Sequence, residues 1–254
     1  MVKERAEVFL AEHNLYVCQA ELKRIKQAVR NGRLWEHTEM RVHGHPALLS
    51  ALKRLRVHAD FLERYSPTVK GNGFFYFDSV GLVRPEITHY RKRLSQRYDP
   101  PKNARVLFLV PQTRNKPFHN APEFKKIRRL FRSLGEVLSS KIHICVYTAP
   151  FGLVPLELDE VYPLSQHEAA LTLDLETVDY VASQTSEYIK RATYGSVVLL
   201  NDAKLWKSTV KRACRSACKT KGLPFDSVDA DVGGSKEILI RLENIFRKQL
   251  SEQP

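Results

Sequence analysis

An α/β fold, with a three-layer parallel or mixed sheet preceded by a small helical domain, is what this 254-residue sequence predicts. Three observations predict it. Apolar residues over the first 65 positions recur at helical spacing, and Gly and Pro then break the pattern between Ser66 and Gly73. Beyond the break, short β-branched runs alternate with amphipathic stretches, which implies strands buried on both faces and crossover helices covering them. The expected division is residues 1–70 for the helical part and 71–254 for the α/β part.

The elements follow in order. A helix is expected from residue 3 to residue 30, with Val8, Leu15, Leu22, Ile25 and Val29 on its stripe, an interruption near Asn14, and a C-cap at Asn31-Gly32. A second helix is expected around Leu34–Val42. His45-Pro46 opens a third, with Pro46 in its first turn, running through Tyr65 and burying Leu48, Leu49, Leu52, Leu55 and Leu62. After the break, Phe74–Phe77 reads as an aromatic strand and Pro85–Tyr98 as a basic helix stopped by Asp99-Pro100-Pro101. Val106–Val110, Ile142–Tyr147 and Val197–Leu200 are apolar, β-branched strands. Helices are expected at Pro122–Ser133, Pro155–Val161, Leu175–Ala192, Ala203–Lys219 and Ser235–Leu250, the last after a turn at Gly233-Gly234. No repeat interrupts this order.

Composition narrows the function. Hydrophobic residues make up 43% and charged residues 27%, as in a soluble globular protein. No apolar run reaches the ~18–20 residues needed to cross a bilayer, and no secretory signal opens the chain. Four cysteines (Cys18, Cys145, Cys214, Cys218) without framework spacing fit a reducing interior, so a cytoplasmic protein is expected. The net charge of +13 lies in one half. Residues 1–133 hold 27 Lys and Arg against 12 Asp and Glu, whereas residues 134–254 hold 14 against 16. That asymmetry suggests a polyanion, with nucleic acid foremost, although a basic solvated surface has the same composition. The expected phosphate contacts are Arg91, Lys92, Arg93 and Arg97 on one helix and Lys125, Lys126, Arg128, Arg129 and Arg132 on the next. Phe124 and Phe131, between the latter, are expected to face the core. His37, His43, His45 and His58 are scattered on basic helices, and Cys214 and Cys218, one helical turn apart, read as helix packing.

The turn at Pro111–Asn120 closes a buried strand and opens onto a basic helix, the place where open α/β sheets put ligand chemistry. Lys116 there can act as a point charge or, if burial lowers its pKa, as an amine nucleophile. A plain polar loop is the alternative.

Residues Pro111, Lys116 and Pro117 match a signature that reads Pro-Cys, three residues, Lys-Pro-Tyr, two residues, Ser, two residues, His. Thr148–Pro163 is similar to the Ser-Pro-Leu-Gly-Val-Val-Pro-x-Glu-Leu stretch that accompanies it. On these residues the chain resembles the archaeosine synthase family of archaeal tRNA-modifying enzymes. The resemblance implies a substrate pocket at Pro111, Gln112, Lys116, Pro117, Phe118, Gly152 and Glu157, with Lys116 the one remaining catalytic candidate. Gln112 stands where the family has Cys, Phe118 where it has Tyr, Ala121 where it has Ser and Phe124 where it has His. The thiol and imidazole that would attack carbon or carry protons are thus replaced by groups that cannot. His119, three residues after Lys116, is a substitute base on this reading.

Glu12-His13-Asn14-Leu15-Tyr16, with the stretch through His45-Pro46-Ala47-Leu48-Leu49, resembles the segment after the catalytic barrel of archaeal tRNA-guanine transglycosylases. The resemblance implies that His13 is a zinc ligand whose three companions come from cysteines upstream. None precedes it in this sequence, and structural zinc takes four ligands. No cofactor is therefore expected, with zinc possible only at an interface with a partner chain. The function expected is tRNA binding within archaeosine modification, as a non-catalytic or partner-dependent subunit beside a chain that carries the barrel, with no membrane partner. The alternatives are an active amidotransferase on 7-cyano-7-deazaguanine tRNA and a general RNA-binding scaffold.

Overall fold

The computed structural model describes residues 2–230 and 234–251, so Gly233 of the expected turn lies outside the described residues. Four helices come first: α1 (Val2–Arg30), α2 (Leu34–Val42), α3 (Pro46–Arg54) and α4 (Ala59–Tyr65). They lead to β1 (Phe74–Tyr76), α5 (Pro85–Arg97), β2 (Val106–Pro111), α6 (Pro122–Leu134), α7 (Glu136–Ser139), β3 (Ile142–Thr148), β4 (Gly152–Pro155) and β5 (His167–Ala169). The remainder is α8 (Leu175–Arg191), β6 (Ser196–Asn201), α9 (Ala203–Trp206), α10 (Thr209–Lys221), β7 (Phe225–Asp229) and α11 (Ser235–Ser251).

Five strands form a mixed sheet in the order β4-β3-β2-β6-β7, parallel except for β4. The central strand β2 is buried along Val106–Val110, as its unbroken apolar run requires. α8 and α10 pack together on one side, and α6 and α11 on the other, where Phe246 meets Phe108 and Phe131. The three-layer expectation holds. α6 shows why: Phe124, Ile127, Leu130 and Leu134 face the core, while the intervening basic residues face solvent.

Several expected boundaries give way to tertiary structure. The first helix runs unbroken through Asn14. The third is divided by a 3-10 turn at Leu55–His58, and Leu48 of its stripe is exposed while Leu52 is buried. Pro155–Val161 is not a helix. Gly152–Pro155 pairs antiparallel with β3, and only Leu156–Leu158 turn as a short 3-10 helix. Proline is tolerated there because it ends an edge strand, where no ladder donor is needed. The helix expected at Ala203–Lys219 breaks at Lys207 and Ser208, both left-handed (φ 48° and 58°). The break leaves Trp206 fully buried with its ring 5.3 Å from that of Tyr147.

β1 and β5 form a separate parallel pair. Among the described residues, no strand lies beside the outer edge of β1. Instead, the Phe75 N–H donates to Glu36 Oε1 at 3.3 Å, and its carbonyl accepts from Arg84 at 3.3 Å. Arg84 is wholly buried, 3.1 Å from Glu36, 3.5 Å from Glu86 and 3.7 Å from Glu39, with its guanidinium 4.4 Å above the Phe74 ring. Lys70 reaches Glu86 at 2.6 Å. Arg33 lies 4.0 Å from Glu36, so three cations face three buried carboxylates, yet among the described residues neither oxygen of Glu39 has a hydrogen-bond partner. Burial pushes the Glu39 carboxyl up from about 4.5 to about 7, against the opposing pull of Arg84 and with Glu36 adding to the rise.

The sign of the pH effect follows from linkage. A carboxyl that holds its proton more tightly when folded favours folding below its unfolded pKa, and that advantage is lost as pH rises toward 7. Glu39→Gln removes the titration. Thermal melts should show wild type losing up to about 3 kcal/mol relative to Glu39→Gln between pH 4.5 and 8. A variant less stable than wild type at pH 8 would show that the Arg84 ion pair outweighs the cost of burial.

Candidate strand-end site

In chain order, the sheet runs outward from β2 to β3 on one side and then returns to β6 on the other. The crevice beyond the carboxyl ends of β2 and β6 is therefore the switch point where such sheets bind ligands. The residues after both strands line it: Gln112, Thr113, Arg114 and Lys116 follow β2, and Leu205 follows β6. Glu168 and Ala169 of β5 form its far wall. The hollow is about 440 Å³. A second, of about 420 Å³, adjoins it, sharing Arg114, Lys116 and Glu168 and adding Arg33, Phe75 and His167.

Phe118 anchors the turn, fully buried at the start of a short 3-10 helix. The Lys116 ammonium lies 5.9 Å from its ring centroid. Burial lowers the pKa of Lys116, and the charge of Glu168 resists the shift. His167 is buried beside it, stacked on Phe74 and edge-on to Phe151. Desolvation, and then the charge of Lys116, push His167 down to about 3, so its ring is neutral. The site is cationic through Lys116, Arg114 and Arg33, with one facing carboxylate.

Gln112 is fixed rather than free. Its Oε1 accepts from the Thr148 hydroxyl at 2.9 Å and from the Ala149 N–H at 3.0 Å, tying β2 to the turn between β3 and β4. Gly152 completes that turn at φ 83°, where a Cβ would lie 2.5 Å from Cβ of Gln184. Its role is to let the β3–β4 hairpin close against α8. Pro111 pairs with Tyr147 at the strand end, and Pro117 leads into the 3-10 turn.

The structure does not bring all the expected site residues together. Glu157 follows β4, which runs antiparallel, so it lies at the opposite end of the sheet beside His143 (3.2 Å) and Tyr98. Burial would raise its carboxyl, but the hydrogen bonds from His143 and Tyr98 outweigh this and hold it below the usual range. His119 is held by the buried Asp159, which accepts from its backbone N–H at 2.8 Å and lies 2.9 Å from Nδ1; Nε2 is 3.4 Å from Glu160. The basic candidates divide. Lys92 is paired with Asp60 and Glu63, and Arg91 lines a separate hollow between α4, α5 and α8 with these three residues; Arg128 donates to the His119 carbonyl. Lys125, Lys126, Arg129 and Arg132 are exposed on α6, and Arg93 and Arg97 on α5. His13 is exposed on α1, and no three His, Cys, Asp or Glu side chains among the described residues could hold a metal. The described residues therefore do not make a zinc site by themselves.

Arg33, Arg114, His167 and Glu168 were not foreseen. Arg114 lay inside the turn and could have been included. The others join it only through the β1–β5 pairing.

Residues 87–245 match a family described as a domain of unknown function, DUF5591, and the chain belongs to that family. It is 36% identical over 205 residues to the tRNA-guanine(15) transglycosylase of Saccharolobus solfataricus, a match covering 80% of this chain and 39% of the relative. With the enzymes of that name from Methanocaldococcus jannaschii and Methanobrevibacter smithii it shares 37% identity over 175 and 191 residues. Those matches cover 68% and 75% of this chain but 24% and 28% of the relatives. The chain thus spans from about a quarter to two fifths of the length of these relatives. No solved structure matches it.

Gln112→Ala would leave the Ala149 N–H and the Thr148 hydroxyl without their shared acceptor. Chemical denaturation should show a loss of about 1–3 kcal/mol. A loss near zero would mean that water replaces the amide.

Proposed function

From the DUF5591 membership and the likeness to transglycosylases, we propose that this chain binds tRNA as a non-catalytic or partner-dependent subunit of an archaeosine-type modification system. One observation carries the reading. The switch-point hollow keeps a cationic lining (Lys116 and Arg114), while the position of the signature thiol is held by Gln112, whose amide oxygen accepts from the Thr148 hydroxyl and the Ala149 N–H. A pocket that binds an anionic substrate without a titratable nucleophile beside Lys116 is a binding pocket.

α1 supports the dependence on a partner. Val8, Leu15, Leu22 and Val29 on one stripe, and Phe9 and Tyr16 on another, are all more than half exposed. A helix apolar on several sides is one that becomes buried. On this reading α1 docks against the chain that carries the transglycosylase barrel, and His13 adds one ligand to cysteines of that partner. A copurified barrel chain that still binds zinc with His13→Ala as tightly as with wild type would remove this role.

The exposed row on α6 would meet the phosphates. Lys125→Ala/Arg129→Ala should weaken binding of a tRNA transcript and lower the slope of log K against log [salt] by about 2, one for each lost contact. An unchanged slope would place the RNA elsewhere.

A second reading has its own observation, the lowered pKa of the Lys116 amine. An active amidotransferase would use that amine on 7-cyano-7-deazaguanine tRNA. The purified chain should not turn over such tRNA with any amine donor. Turnover abolished by Lys116→Ala would establish the active enzyme instead, and salt-sensitive binding to all RNAs alike would favour a general scaffold.

A further inference from the structure

A recess outside the switch point lies between α5 and the segment 158–164 that follows β4. It holds about 310 Å³, at the small end of the ~300–1,000 Å³ typical of ligand sites. Its lining is largely apolar, with Tyr90, Leu94, Leu158 and Leu164 among the contributors. Arg93 and Arg97, one helical turn apart on α5, stand at its edge. Both are exposed, and neither makes an ion pair or hydrogen bond through its side chain among the described residues. Their neighbours differ: Lys92 and His89 are both held by Glu63. Glu86 also lines the recess. It is 1% exposed; its Oε1 meets Lys70 and Arg84, and its Oε2 has no hydrogen-bond partner among the described residues.

These features select a ligand class. A hydrocarbon would satisfy the apolar lining but leave two guanidinium groups and a buried carboxylate oxygen unmet. A simple anion would satisfy the arginines and leave the apolar lining wet. A flat ring with N–H donors on one edge and a phosphate on its tail meets all three, because arginine binds phosphate through paired donors and unstacked bases settle on aromatic and apolar side chains.

We propose that this recess takes one unstacked nucleotide of an RNA strand, its base against Tyr90 and Leu94, its N–H edge toward Glu86 and its phosphate on Arg93 and Arg97. The inference rests on the RNA-binding reading above and adds a second point of contact. Geometry links the two sites. The 158–164 segment walls the recess on one side, and through Asp159 it holds His119 of the Lys116 turn. The two sites are therefore coupled through one segment.

The test uses the full chain, guanosine 5′-monophosphate and ribose 5-phosphate as probes in ligand-observed NMR, and a tRNA transcript in filter binding. The variants are Arg93→Ala/Arg97→Ala and Val161→Glu, all at exposed positions lining the recess, with melting temperature as the check on folding. The nucleotide should bind at least about tenfold more tightly than ribose 5-phosphate, as base stacking requires. Arg93→Ala/Arg97→Ala should weaken binding of both probes, Val161→Glu should remove the preference for the nucleotide, and each variant should weaken tRNA binding. Equal binding of the two probes, or tRNA binding undiminished in both variants, would overturn the recess and leave the tRNA reading standing. Nucleotide bound without any tRNA binding would overturn both the RNA strand as occupant and the function proposed above.

Discussion

Arg84 is the interaction on which the rest depends. A three-residue strand cannot persist with one edge unpaired and buried, because each orphaned backbone group costs free energy comparable to a lost hydrogen bond. β1 escapes that cost because a carboxylate from α2 and the Arg84 guanidinium take the place of a neighbouring strand at Phe75. Through β1 the same contacts fix β5, and β5 carries His167 and Glu168 to the Lys116 hollow. The helical segment and the strand-end site are thus joined through one buried guanidinium. Such a knot is a costly way to hold a fold. Buried ion pairs repay desolvation only with good geometry, and here Glu39 is left with both oxygens unbonded. What the knot gives is a unique arrangement: no apolar side chain could occupy both the donor and the acceptor of Phe75.

The legible parts of the fold were those in which local pattern and tertiary demand agree. β2, β3 and β6 are apolar because both faces are covered, and α6 keeps a strict apolar stripe beneath a basic face. The strands that escaped lie at sheet edges or are short. β7 reads Phe-Asp-Ser-Val-Asp and β5 reads His-Glu-Ala, and neither needs β-branched residues, because partner strands supply the pairing. β4 was concealed by Pro155, which resembles a helix start when only the sequence is read. Within the site, Lys116 was legible because a strand end before a basic helix marks a ligand crevice. His167 and Glu168 were not, since nothing local links them to that turn. Glu157 illustrates the opposite error. The family resemblance placed it in the pocket, whereas an antiparallel strand carries it to the other end of the sheet.

Electrostatics gives the switch-point hollow its character. Lys116 is buried enough for its ammonium to be disfavoured, yet it neighbours an imidazole that burial and the same lysine keep uncharged. Had His167 been free to protonate, two cations would compete in one low-dielectric pocket. Its neutrality leaves Lys116 as the inner charge of the hollow, facing Glu168, while Arg114 and Arg33 remain nearer the surface. A gradient of that kind favours an anionic ligand that reaches inward with one polar group and leaves its phosphates outside.

α1 bears on how such a ligand would be delivered. Along an α-helix successive residues turn by ~100°, so His13 and Leu15 project from nearly opposite sides. The exposed residues Val8, Leu15 and Leu22 share one side, while Phe9 and Tyr16 lie elsewhere around the circumference. A single groove or one partner helix can cover only a stripe. Burying Leu15 and Tyr16 while also engaging His13 requires a partner that envelops the helix. That geometry suits a large folded domain better than a second copy of this helix. Within the chain, α1 is held largely through Glu21, which bridges to Arg41 and His37 of α2, and the greater part of its described surface is open.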